Sequence, residues 1–250
     1  MKGIFLNILY AFKRDSVFIG TTFIVFLISC FSMFLGSNAV VEAQEAKIIY
    51  TAGFSRIAII LGFITFVIVF IKRMFENHEI EVILSHSISR TTIILSMFFA
   101  FSIILLTLIF PVFIILYFLQ TNILNVIMWC FSLYCEGILM LSFTLCSALI
   151  INSFVHSLSS CFLIYLIGRT IGNFVAYITI SAEMTFQTMI ANILKITSIF
   201  IPRLDLFGKT SWLTYGNFTQ FDIFLFLSQT IIFCCIFLCI ANIDLRKKEF

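Results

Sequence analysis

Charge is what this sequence has least of. Only 11% of its 250 residues are Asp, Glu, Lys or Arg, where soluble domains carry about a quarter. Proline is nearly absent, with Pro111 and Pro202 the two in the chain, and histidine is limited to His78, His86 and His156. Hydrophobic residues reach 62%, with 33 Phe, and the mean hydropathy is +1.16. A soluble fold cannot hide that much apolar surface, so the solvent for most of this chain is lipid. The net charge of +3 is scattered; a nucleic-acid footprint would cluster on one basic face, and that partner class is excluded.

The missing motifs exclude chemistry. There is no Gly-x-x-x-x-Gly-Lys-Ser/Thr phosphate loop, so the chain is not expected to bind and hydrolyse ATP itself, and no His-Glu-x-x-His metal helix. The three histidines fall between apolar runs, so no Ser-His pair assembles within a membrane as rhomboid-type proteases require, and no two intramembrane acids suit an aspartyl mechanism. All eight cysteines lie inside apolar runs as small hydrophobes. Cys235 and Cys239 share a helix face without a nearby His or carboxylate, which reads as packing. No metal, cofactor or catalytic residue is expected.

What is present is a series of long apolar runs. Six spans are expected at about 17–35, 54–71, 93–119, 123–151, 158–180 and 223–243. They lack the period-two alternation of barrel strands, so the fold class is an all-α integral membrane bundle of six transmembrane helices in one domain, 1–250. An even number of spans puts both termini and the connections after the second and fourth spans on one side. That side carries nine basic residues: Lys2, Lys13, Arg14, Lys72, Arg73, Arg90, Arg246, Lys247 and Lys248. The other carries five, Lys47, Arg56, Lys195, Arg203 and Lys209, with Arg169 inside. The positive-inside rule makes the first side cytoplasmic, in a plasma membrane.

Three segments stand outside the spans. Residues 1–15 are apolar through Ile4, Phe5, Ile8, Leu9 and Phe12 and end in Lys13, Arg14 and Asp15, without a small-residue cleavage site. They read as an interfacial helix on the cytoplasmic leaflet or as a ragged start to the first span. Residues 75–90 set Glu76, Glu79 and Glu81 ahead of and among Ile80, Val82, Ile83 and Leu84, then break into a polar turn. This is a short charged helix between two spans, or else a solvated connector. Residues 181–221 show an apolar stripe at Phe186, Met189, Ile190, Ile193, Leu194 and Phe200. An amphipathic outer helix ended by Pro202 is one reading and an interfacial loop the other; Trp212 and Tyr215 suit the headgroup zone.

Two intramembrane charges stand out. Glu136 and Arg169 are the ionisable residues near the middle of consecutive spans, and a mid-span charge seeks a partner or a watery cavity. They are expected to pair, with Asn173 in reach of Arg169. A protonated Glu136 bonded to another helix, or either residue lining a substrate path, remains open.

The order of elements resembles the membrane subunit of an ATP-binding-cassette transporter of the type-2 permease family, along essentially the whole chain. Glu76-Asn77-His78-Glu79-Ile80-Glu81-Val82-Ile83-Leu84-Ser85-His86-Ser87-Ile88-Ser89-Arg90 is similar to that family's cytoplasmic segment, in which acidic residues lead into Leu-Ser-x-Pro-Ile-Ser-Arg. Here Ser87 replaces the common Pro, and the usual Gly between the acids and the apolar residues is missing. Arg246-Lys247-Lys248-Glu249-Phe250 resembles the family's basic ending. The resemblance implies a permease, most often an exporter, docked through Glu76, Glu79, Ile80, Ile83 and Arg90 onto a cytoplasmic ATPase subunit and paired with a second permease subunit. Gly168, Gly172 and Ala176 form a small-residue ridge for that pairing or for packing within one subunit. A small gradient-driven carrier or channel, and a membrane scaffold that moves nothing, are the rival functions.

Overall fold

The computed structural model describes residues 2–38, 42–78, 89–119, 122–180 and 201–247. Among them every regular element is helical: α1 (Lys2–Arg14), α2 (Ser16–Ser37), α3 (Ala43–Glu76), α4 (Arg90–Leu119), α5 (Ile123–Ile150), α6 (Phe154–Ile180), a 3-10 turn (Leu204–Leu206), α7 (Thr210–Thr214) and α8 (Gln220–Lys247). Six of these, α2 to α6 and α8, are long and apolar enough to cross a membrane. The protein is a multi-pass, all-α membrane bundle. In lipid each backbone N–H and C=O must find its partner within the segment, and a helix alone does this in an open-ended span. The hydroxyls obey the same demand by bonding back along their own helices, as Ser29 Oγ does to Val25 O and Thr144 Oγ1 to Met140 O, at 2.8 and 2.6 Å.

The second span differs from its expected limits. Instead of starting near Phe54, α3 runs from Ala43, and its 34 residues are about 51 Å long, well beyond a ~30 Å hydrocarbon core. Its early turns are held because Ile48, Thr51, Ala52, Ser55 and Arg56 form a buried stripe, with Arg56 13 residues inside the helix. Arg56 therefore belongs to the bundle interior and not to an external surface.

Helix α5 is the axis. Buried residues make up 78% of its most apolar window, against 22% for α2 and 17% for α8, so α5 is enclosed by its neighbours while those two face outward. One half of the bundle is cemented by rings: Phe12 on Phe18 (4.9 Å), Phe18 on Phe66 (5.4 Å) and Phe70 on Phe101 (5.5 Å), all near edge-to-face. Helix α1 joins this packing, with Ile8 buried and Phe5, Leu9 and Phe12 half-buried against the core, so its apolar face is covered by protein.

Polar ties gather at that same end. Asp15 caps α2 by accepting from Val17 N at 2.8 Å and pairs with Arg73 at 3.2 Å. Lys72 Nζ donates to Ala148 O at 2.8 Å and also to Ile151 O, closing the carbonyl end of α5. Arg90 donates to Leu245 O, joining the start of α4 to the end of α8. Helix α4 thus packs on α1 and is tied to the end of α8 at this basic end.

Candidate functional site

At the opposite end the chain folds back into the bundle. After α6, residues 202–214 enter as a 3-10 turn followed by the single-turn α7, and Leu204, Phe207, Trp212 and Leu213 are all buried. Phe207 and Trp212 pack on Phe226 of α8, at 6.0 and 6.1 Å between ring centres. Trp212 is therefore a core residue and not the headgroup anchor expected from sequence. Tyr215, just beyond, is exposed and donates its hydroxyl to Glu45 Oε2 at 3.4 Å.

Beneath this cap, three helices bring one charge each to a common depth. From the basic end, Arg56 lies about 24 Å along α3 from Lys72, Glu136 about 21 Å from Ile150, and Arg169 about 22 Å from Phe154. Arg56 and Glu136 form an ion pair, with Nη2 at 2.5 Å and Nε at 2.7 Å from the same Oε2. Neither is more than 2% exposed, so water does not screen the contact. The remaining Arg56 donors go to the cap: Nη1 to Gly208 O at 2.8 Å and Nη2 to Leu204 O at 3.3 Å. Arg169 Nη1 donates to Leu204 O at 2.7 Å and to Phe207 O at 3.2 Å. From α5, Trp129 Nε1 donates to Gly208 O at 3.1 Å, and Ser132 Oγ accepts from Gly208 N at 2.8 Å. A turn that would otherwise leave bare carbonyls inside the membrane has them bonded to two guanidinium groups and an indole.

No protein-family model matches the chain, and no curated protein does either.

The direct Glu136–Arg169 pair expected from sequence is replaced by Glu136–Arg56, while Arg169 spends its donors on the turn. The reason is the extra length of α3, which carries Arg56 inward to the level of Glu136. Asn173 is exposed and outside this cluster. The ridge of Gly168 and Gly172 has an occupant within the same chain. A Cβ on Gly168 would meet Pro202 O at 2.7 Å, and one on Gly172 would clash with the Asp205 carboxylate. Both glycines let the turn lie directly on α6; the Ala176 side chain is outside the described residues.

Gly208 is needed for its backbone as well, since φ is +46° and a Cβ would meet Arg56 Nη1 at 2.9 Å. At the basic end, Glu76 is exposed at the close of α3 and Arg90 opens α4. Glu79, Ile80 and Ile83 lie outside the described residues, as do Phe186, Ile190, Ile193 and Phe200.

Sequence reasoning missed Arg56, Trp129, Ser132 and Tyr165. For Arg56 a signal existed: Thr51, Ala52, Ser55 and Arg56 continue at helical spacing into Ile59, Ile60 and Phe63, all of them buried. Small and polar residues on the face that later turns apolar mark a helix continuing inward. Nothing comparable marks the carbonyls of Leu204, Phe207 and Gly208.

Chemically, the site is a lattice of fixed donors over a polar turn. Among the described residues no group of three or more His, Cys, Asp or Glu side chains could hold a metal ion.

Proposed function

We propose that the chain is the membrane-spanning permease subunit of an ATP-binding-cassette transporter of the type-2 kind, an exporter driven by a separate cytoplasmic ATPase subunit and working beside a second permease subunit. The observation that carries this reading is the cap itself. Three ionisable groups held deep in the bundle are costly in lipid, and a path that must be closed at one end and opened on demand would use them as a removable polar seal. The seal packs on α6 at Gly168 and Gly172 and on α8 at Phe226, so a shift of either helix would disturb it.

The basic end supports the rest. With Arg56 in the interior, the sequence count for the side opposite the termini falls to Lys47, Lys195, Arg203 and Lys209, four against nine. The positive-inside rule then supports cytoplasmic termini and an outward-facing cap. Glu76 and Arg90 flank the connection between α3 and α4 at the cytoplasmic end, each at a helix terminus and well placed to take the push of a nucleotide-driven subunit. Catalysis of ATP hydrolysis belongs to that subunit.

Affinity purification of the tagged chain from its native membrane tests the reading. A nucleotide-binding subunit should co-purify, and its ATP hydrolysis should fall when Glu76, Glu79 and Arg90 are replaced together. Solute movement without such a subunit would point to a gradient-driven carrier or channel, and neither binding nor movement to a scaffold.

A further inference from the structure

We propose that Arg169 and Arg56, together with the Tyr165 hydroxyl, form a recognition site for an oxyanion, a carboxylate or phosphate on the transported molecule, and that the protein's own 204–208 turn occupies that site in this conformation. The proposal rests on the transport reading and names the chemical class of its substrate. Two cations and one carboxylate meet in the cluster, so it holds one positive charge in surplus. Glu136 Oε2 is committed to Arg56, and Arg169 takes neutral carbonyl oxygens of the turn as its hydrogen-bond acceptors.

The turn also imitates an anion. Asp205 lies against Gly172, one helical turn from Arg169 and within its electrostatic range, while hydrogen-bonded to Arg203 at 2.8 Å. Two carbonyls of the turn thus bond the Arg169 guanidinium, and the Asp205 carboxylate, paired with Arg203, adds a more distant negative charge to the same turn. When the turn lifts, these acceptors leave together, and the planar fork of Arg169 then faces the path. That fork matches carboxylate and phosphate oxygens through two parallel hydrogen bonds.

A second observation points to a ligand. Tyr165, one turn below Arg169 on α6, is 1% exposed, yet its hydroxyl has no hydrogen-bond partner. It sits within electrostatic range of Glu136, Arg56 and Arg169. A buried O–H donor left unused among Glu136, Arg56 and Arg169 is a group that an incoming oxyanion would satisfy.

The test uses the two tryptophans of the chain, Trp129 and Trp212, which both bear on the turn and report its displacement. The full chain in phosphatidylcholine nanodiscs is titrated with decyl phosphate, with neutral decanol and with inorganic phosphate. Decyl phosphate should give a saturable fluorescence change that decanol does not. Arg169→Gln should weaken it about tenfold, Tyr165→Phe several-fold, and Asp205→Asn should strengthen it by removing the internal anion. A response to inorganic phosphate assigns the site to the free ion, and a response to decyl phosphate alone assigns it to a headgroup.

An equal response to decanol, or unchanged affinity in Asp205→Asn, overturns the proposal. That second criterion holds even where Arg169→Gln does not fold. Binding is read on this chain alone, so it succeeds or fails separately from the co-purification of an ATPase.

Discussion

Removing Arg56 should cost more than removing Arg56 and Glu136 together. In Arg56→Met the carbonyls lose little, because Gly208 O keeps Trp129 Nε1 and Leu204 O keeps Arg169 Nη1. The loss falls on Glu136, which is fully buried and has Oε1 already without a partner. Breaking a buried pair from one side costs about 3–5 kcal/mol, and the orphaned carboxylate accounts for most of it. Glu136→Gln removes the negative charge and keeps an acceptor for Arg56, whose Gly208 and Leu204 bonds remain, so its cost should lie near ~1–2 kcal/mol.

In the double variant no charge is stranded on α5. It should be more stable than Arg56→Met alone, with a coupling of about 1–3 kcal/mol. The companion cycle of Glu136→Gln with Arg169→Gln should couple more weakly, because those side chains share no direct bond and meet only through Arg56 and Leu204 O. Equilibrium unfolding in mixed detergent micelles measures all the variants on one scale. Additive losses for Arg56 with Glu136, alongside strong coupling of Glu136 with Arg169, would refute the assignment of partners and restore the pairing expected from sequence.

Four further outcomes are expected. Gly172→Ala drives a methyl group into the Asp205 carboxylate, so the turn must shift; a loss of about 1–3 kcal/mol in the same unfolding assay is expected, and an unchanged melting point would show that the turn does not rest on α6. In a background stripped of native cysteines, Phe207→Cys should resist a membrane-impermeant thiol reagent while Tyr215→Cys reacts readily, since their exposures are 0% and 64%; equal labelling of the two would contradict a closed cap. Replacing Glu76, Glu79 and Arg90 together should uncouple ATP hydrolysis in the assembled transporter while leaving the chain inserted. Arg90→Ala alone should also lower thermal stability modestly, because it frees Leu245 O at the end of α8.

Composition and the length of the apolar runs determined that this is a helical membrane protein of six spans, because a lipid solvent admits so few ways of satisfying a backbone. The same reasoning made Glu136 and Arg169 legible as special, since an ionisable side chain in an apolar run is expensive wherever the helix is placed. Their partners were not legible. Whether two charges meet depends on the depth at which each helix starts and on its rotation about its axis, and a run of apolar residues specifies neither. Starting α3 at Ala43 moved Arg56 from the surface to the ion pair.

The return of residues 202–214 into the bundle likewise gave Gly168 and Gly172 an occupant and drew Trp212 inside. Backbone carbonyls complete the site, and they carry no signature in a sequence because every residue has one. Only the packing of α3, α5 and α6 around the turn decided which of them would meet a guanidinium group.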